Sequence, residues 1–188
     1  MAIAIRGKVR RQSGFTMVEA LISILVMAIG ILGLGAVYAQ GILYADAAQY
    51  QYIAEKKAEE AVETIFTARD TGLAVWSQIQ NDSSGTTPPG IFLTGPQQLC
   101  DPGPDGLVGT ADDNCNLPDK VITGPGPDGT LGTADDTSIN LNGLMTREIQ
   151  IVNITNEPNL RQVNVILRYN AGGKQHTYTL VCYISAFA

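Results

Sequence analysis

The sequence predicts an α+β protein in which one long N-terminal helix packs on a small C-terminal antiparallel sheet, with a loop-rich insertion between them. Three observations predict it. An apolar run from Phe15 to Ala39 passes into a stretch whose apolar residues recur with helical period. From residue 147 onward the pattern changes to period two around a Gly-Gly turn. The middle is crowded with Gly, Pro and Asp and contains an internal duplication.

The helix comes first. Between Phe15 and Ala39 the strongly polar side chains are Thr16, Glu19 and Ser23, and the run is long enough for the roughly 20 apolar residues of a membrane-spanning helix. Further on, Ala54, Ala58, Ala61, Val62 and Ile65 fall on one stripe, the pattern of a half-buried amphipathic helix. Lys57 and Glu60, three apart, are placed to pair on its wet side. A single helix from Thr16 to Ala68 is expected, about 80 Å long at the α-helical rise. Gly30, Gly33, Gly35 and Gly41 interrupt it, each costing up to ~1 kcal/mol in a helix interior. In lipid, small residues also let helices approach closely, so local melting and close packing are both open.

Charge is segregated. The chain holds 12 basic and 18 acidic side chains for a net charge of −6. Four of the basic ones, Arg6, Lys8, Arg10 and Arg11, fall in the first 14 residues with no acid among them, which leaves eight basic against 18 acidic in the remainder. An acidic body does not attract a phosphate backbone, so no nucleic-acid partner is expected. The positive-inside rule keeps the N-terminus cytoplasmic and exports the body, to a compartment where disulfides form.

Glu19 is the odd residue, because an unpaired carboxylate in hydrocarbon costs several kcal/mol by widely varying measures, at least ~2.5. A secretory signal cut after Val37-Tyr38-Ala39 has too long an apolar region before the cut, and a plain anchor leaves the carboxylate without a role. A basic leader ending in Gly14, then Phe15, Thr16, Met17, Val18 and Glu19 at the head of an apolar helix, resembles the class III signal of type IV pilins. The resemblance implies that a prepilin peptidase cuts between Gly14 and Phe15 on the cytoplasmic face and methylates the new amine of Phe15. It also implies that Glu19 pairs with the N-terminal amine of a neighbouring subunit during assembly. Such a partner would offset the burial of the charge and set the axial register.

The strands follow. In "RQVNVILRY" Val163, Val165, Leu167 and Tyr169 share a face, and in "HTYTLVCYI" Tyr178, Leu180, Cys182 and Ile184 do. Ala171-Gly172-Gly173-Lys174 between them predicts a β-hairpin. "REIQIVNIT", Arg147 to Thr155, is a third antiparallel strand whose alternation slips after Ile151. The "AIGILGLGAVYAQ" helix and the Gly-Gly hairpin look most like PilV-type minor pilins over roughly residues 1–70 and 147–188.

The middle repeats itself. "PGPDGLVGTADD" (Pro102 to Asp113) and "PGPDGTLGTADD" (Pro125 to Asp136) agree at all but two positions, and both read as turns. Counted from Asp101, the first copy puts Asp101, Asp105 and Asp112 near the ligand positions of an EF-hand loop, with Gly106 at the turn. Gly103 replaces one ligand and Asp the final Glu; the second copy starts at Gly124 and offers fewer oxygens. The expectation is a calcium cofactor held by Asp101, Asp105, Asp112 and Asp113 in the first loop and by Asp128, Asp135 and Asp136 in the second, against a bland reading as acidic Asp-Gly turns. Cys100 and Cys115 bracket the first copy and are expected to form a disulfide, leaving Cys182 as a buried thiol. His176 reads as a surface residue, Trp76, Tyr50 and Tyr52 as packing, and no nucleophile, zinc or nucleotide motif is present.

The predicted organisation is a leader (1–14), a transmembrane or filament-core helix (15–45), an amphipathic helix continuing into the head (46–75), a loop-rich region with the repeats (76–146) and an antiparallel sheet (147–188). The function implied is a minor pilin: a non-enzymatic subunit held in the inner membrane with a periplasmic head, then assembled with other pilins by an inner-membrane platform into an extracellular pilus. The rivals are a minor pseudopilin of a type II secretion system and a signal-anchored periplasmic calcium-binding protein.

Overall fold

A computed structural model of the chain describes residues 14–83 and 89–187; the basic leader residues Arg6, Lys8, Arg10 and Arg11 lie outside them. The chain divides into two compact units, Met1–Ile42 and Leu43–Ala188. One helix, α1 (Met17–Asp70), contributes to both.

In the first unit α1 presents its apolar side chains outward: Met17 is 84% exposed, Leu32 74% and Tyr38 73%. Its most apolar 18-residue window, of mean hydropathy 2.6, has no residue buried, so this is a helix long and apolar enough to cross a membrane. The helix runs unbroken through Gly30, Gly33, Gly35 and Gly41, and nothing lies within 4 Å of where a Cβ on any of them would stand. Of the two alternatives for these glycines, melting is not seen. Close packing would need a second chain.

In the second unit the helix buries Ile53, Ala54, Ala58, Ala61, Ile65 and Ala68. The predicted stripe is therefore correct except at Val62, which packs at the margin of the core. Alanine at four of these positions lets the helix backbone approach the sheet, while the two isoleucines fill the remaining space at interior density. The chain then forms β1 (Gln97–Gln98), β2 (Cys100–Asp101), β3 (Asn114–Pro118), β4 (Lys120–Gly124), β5 (Thr137–Asn140), β6 (Met145–Ile154), β7 (Glu157–Ala171) and β8 (Lys174–Ser185). The main sheet has the order β1-β6-β7-β8, all neighbours antiparallel. Val163 pairs with Cys182, Val165 with Leu180 and Leu167 with Tyr178, so the two predicted faces coincide and close over α1. The β7–β8 turn is Gly172-Gly173 with φ +57 and +75, the positive values that a two-residue type I′ hairpin demands. The alternation of β6 ends at Ile151, as predicted, with Val152 and Asn153 both exposed, and the register with β7 shifts two residues later, between Asn153 and Ile154.

Four smaller expectations need correction. Lys57 does not sit on the wet side. Its side chain is 13% exposed and bridges Glu60 at 2.7 Å and Asp119 at 2.8 Å. His176 is half-buried, its ring stacked on Tyr169 at 5.5 Å. Tyr52, read as packing, is 62% exposed. Cys182 is half-buried rather than sealed, and burial still raises its thiol pKa.

Candidate functional site

The first candidate site is the start of α1. Gly14, Phe15 and Thr16 precede the helix without regular structure and are exposed. Thr16 is the residue on which the helix begins: its carbonyl accepts the Ala20 N–H at 3.2 Å. Its hydroxyl oxygen accepts the Glu19 N–H at 3.3 Å and donates to Glu19 Oε2 at 3.4 Å. Thr-x-x-Glu is the sequence of a capping box, and a carboxylate in the first turn also faces the positive end of the helix dipole. Ser23 Oγ donates to the Glu19 carbonyl at 2.8 Å. Thr16 and Ser23 thus both bond to Glu19, the first at its N–H and carboxylate and the second at its backbone carbonyl.

The second candidate is the pair of repeats. Each forms the loop of a small antiparallel ladder, β2–β3 for the first copy and β4–β5 for the second. The two loops are wired alike. Asp105 accepts the Leu107 N–H and Asp128 the Thr130 N–H, both at 2.8 Å. Asp113 accepts the Gly109 N–H at 2.8 Å, as Asp136 accepts the Gly132 N–H at 2.6 Å. Thr110 donates to Asp112 and Thr133 to Asp135, both at 2.7 Å. Asp101 accepts the Gly103 N–H at 3.2 Å, a bond for which Gly124 in the second copy has no side chain. The carboxylates named as calcium ligands are thus turned onto their own loops. Among the described residues no group of three or more His, Cys, Asp or Glu side chains is gathered to hold a metal ion. Asp82, Asp105 and Asp112 line parts of one cavity of about 300 Å³ without being gathered around a single point.

The environments of the copies differ. In the first, Leu107, Val108 and Thr110 are buried, and Leu93 donates to the Gly109 carbonyl at 2.8 Å. The Cys100–Cys115 disulfide closes the loop, with Cα atoms 4.7 Å apart. Burial pushes the Asp113 carboxyl above the usual aspartate range, against the opposing pull of the Gly109 N–H. Arg147, buried on β6, has its guanidinium pKa lowered by burial and feels the opposite charges of Asp113, Glu60 and Asp119. The second copy is open: Leu131 is 65% exposed, and Asp128 and Asp135 lie at the surface.

Sequence reasoning missed the two buried arginines. Arg161 donates to the Trp76 and Ile79 carbonyls and to Asn153 Oδ1, and its guanidinium lies 4.3 Å from the Trp76 ring centre. The signal was available, since Arg147 and Arg161 fall in phase with Ile149 and Val163 on the buried faces of their strands.

Residues 9–35 match the family model of the prokaryotic N-terminal methylation motif. No curated protein and no solved structure matches the chain significantly. The chain therefore carries the class III signal of type IV pilins, and its N-terminus is that of a pilin-like or pseudopilin-like protein.

Proposed function

We propose that the protein is a minor pilin, a non-enzymatic subunit that helps initiate or decorate a type IV pilus, of the PilV type by its helix and hairpin. The observation that carries this reading is the methylation motif on an unbroken apolar helix that presents its apolar side chains outward. Prepilin peptidase cuts after Gly14, Phe15 is N-methylated, and the head waits in the periplasm until the inner-membrane platform packs the helix among other pilins. Glu19 then pairs with the neighbour's amine. N-terminal analysis of the processed protein is expected to find methylated Phe15; an intact leader, or a start after Ala39, refutes the reading. Sheared surface filaments should contain the chain, and Glu19→Ala should be cleaved normally yet incorporated poorly. Recovery only in a periplasmic secretion pseudopilus would favour the minor pseudopilin, and recovery only in membranes a signal-anchored protein.

A second reading concerns calcium at the repeats. It is supported by Asp136 Oδ1, which is buried without a hydrogen-bond partner, and by the carboxylates that Asp105 and Asp112 contribute to the wall of one cavity. Asp105 and Asp112 would exchange loop donors for the ion, with Asp101 and Asp113 adding oxygens to the first site and Asp128, Asp135 and Asp136 forming a weaker second. Titration of the head, residues 43–188, with millimolar calcium should release heat and raise the melting temperature. Asp105→Ala should reduce both more than Asp128→Ala. No response at millimolar calcium would leave the repeats as turns only.

A further inference from the structure

We propose that Lys57 and Asp119 condense to an intramolecular isopeptide bond, a covalent tie between α1 and the link from β3 to β4, with Glu60 as the proton carrier. The bond is independent of the pilin reading. The three side chains meet within the head. Lys57 Nζ lies 2.9 Å from Asp119 Oδ1, 2.8 Å from Asp119 Oδ2 and 2.7 Å from Glu60 Oε2. The Lys57 and Asp119 side chains are 13% and 16% exposed, whereas those of the neighbouring pair Lys56 and Glu59 are 51% and 48% exposed. Both backbones are held in place. Lys57 stands on the stretch of helix that buries Ala54, Ala58 and Ala61. The Asp119 N–H donates to the Leu99 carbonyl at 3.2 Å and its carbonyl accepts the Leu141 N–H at 2.9 Å, and both leucines are fully buried. A further observation concerns Arg147. Its side chain is buried, its Nη1 has no hydrogen-bond partner among the described residues, and it feels the charges of Glu60 and Asp119. Buried donors are nearly always satisfied, so this one calls for a role.

The step is a dehydration. Glu60 takes one proton from the Lys57 ammonium, the freed Nζ attacks Asp119 Cγ, and a C–O bond of the carboxyl group breaks. The departing oxygen leaves as water with the two protons that the nitrogen loses, one of them returned by Glu60, so no oxidant or co-reactant is needed. A guanidinium with an unused donor is suited to the negative charge that builds on the remaining Asp119 oxygen in the tetrahedral intermediate. Two groups held in contact act at an effective concentration of about 10⁵ M or more, far above that of water, which favours the amide over its hydrolysis. The Glu60 side chain is 42% exposed, which gives the released water a way out. With the Cys100–Cys115 disulfide, the bond gives the loop-rich middle two covalent ties, one within itself and one to the helix.

The test is the mass of the intact full chain, purified from membranes and reduced. The native chain should be lighter by one water than the mass of its processed sequence. Its tryptic digest should contain a branched peptide in which Lys57 is joined to Asp119. Lys57→Arg keeps a cation at the site but has no amine nucleophile, and should show the full mass. Glu60→Gln removes the proton carrier and should slow closure about 100-fold, leaving freshly purified protein mostly unlinked. A native chain of full mass, without the branched peptide, overturns the proposal. So does a loss of water that persists in Lys57→Arg, since it would then come from an Asp-Gly succinimide such as Asp105-Gly106. Complete linkage in Glu60→Gln overturns the part given to Glu60. The native digest decides by itself whether the bond exists, even where a variant fails to fold.

Discussion

Arg161 shows how one side chain organises the end of the head. In the segment that follows α1 the Arg161 guanidinium donates to the Trp76 and Ile79 carbonyls, the first of which also accepts the Ile79 N–H at 3.3 Å. Stacking on the Trp76 ring shields the same group, and Trp76 Nε1 in turn donates to the Pro158 carbonyl at 3.1 Å. Removing a buried, hydrogen-bonded charge takes a donor from each of its three acceptors. Arg161→Ala is therefore expected to cost about 2–4 kcal/mol, read from urea unfolding of the head. A loss under about 1 kcal/mol would mean that water replaces the guanidinium freely.

Among the elements, the two repeats provide an internal control. They share sequence and hydrogen-bond wiring, yet one is core and the other surface. Gly109 and Gly132 occupy the same place in each copy, with φ +80 and +90. A Cβ on Gly109 would stand 2.9 Å from Ile149 Cδ1, whereas nothing lies within 4 Å of one on Gly132. Both alanine substitutions carry the strain of a left-handed backbone, but only the first adds overpacking. Gly109→Ala should destabilise the head by about 2–4 kcal/mol and Gly132→Ala by about 1 kcal/mol. Equal losses in thermal melts would show that Ile149 moves aside without cost.

At the scale of the molecule, the head holds a loop-rich middle against a small helix-on-sheet core, and a disulfide at the first repeat is a covalent restraint on that middle. The Cys100–Cys115 bond spans 15 residues, a closure that stabilises by roughly 3 kcal/mol in the chain-entropy model. Cys115→Ser, at the exposed end of the bond, should lower the melting temperature of the head by roughly 10 °C for a domain of this size. The open second copy should be unaffected in its local exchange rates. A loss spread equally over both loops would contradict the separation of the copies into core and surface.

The sequence by itself determined the features that depend on neighbours along the chain. The long helix follows from its apolar run and alanine stripe, the β7–β8 hairpin from period two around Gly172-Gly173, the processing signal from Gly14, Phe15 and Glu19, and the cysteine pair from its bracketing of a repeat. Only the tertiary structure decided what depends on residues far apart. It buried Arg147 and Arg161, which by charge alone belong in water, because their strand phase points inward and Trp76, Ile79 and Asn153 supply partners for Arg161. It carried Lys57 across to Asp119, 62 residues away. It also separated two nearly identical repeats, since Leu107 and Val108 of the first find the core while Leu131 of the second does not. Local pattern sets an element's type and its faces; which face is covered, and by what, is fixed when distant segments meet.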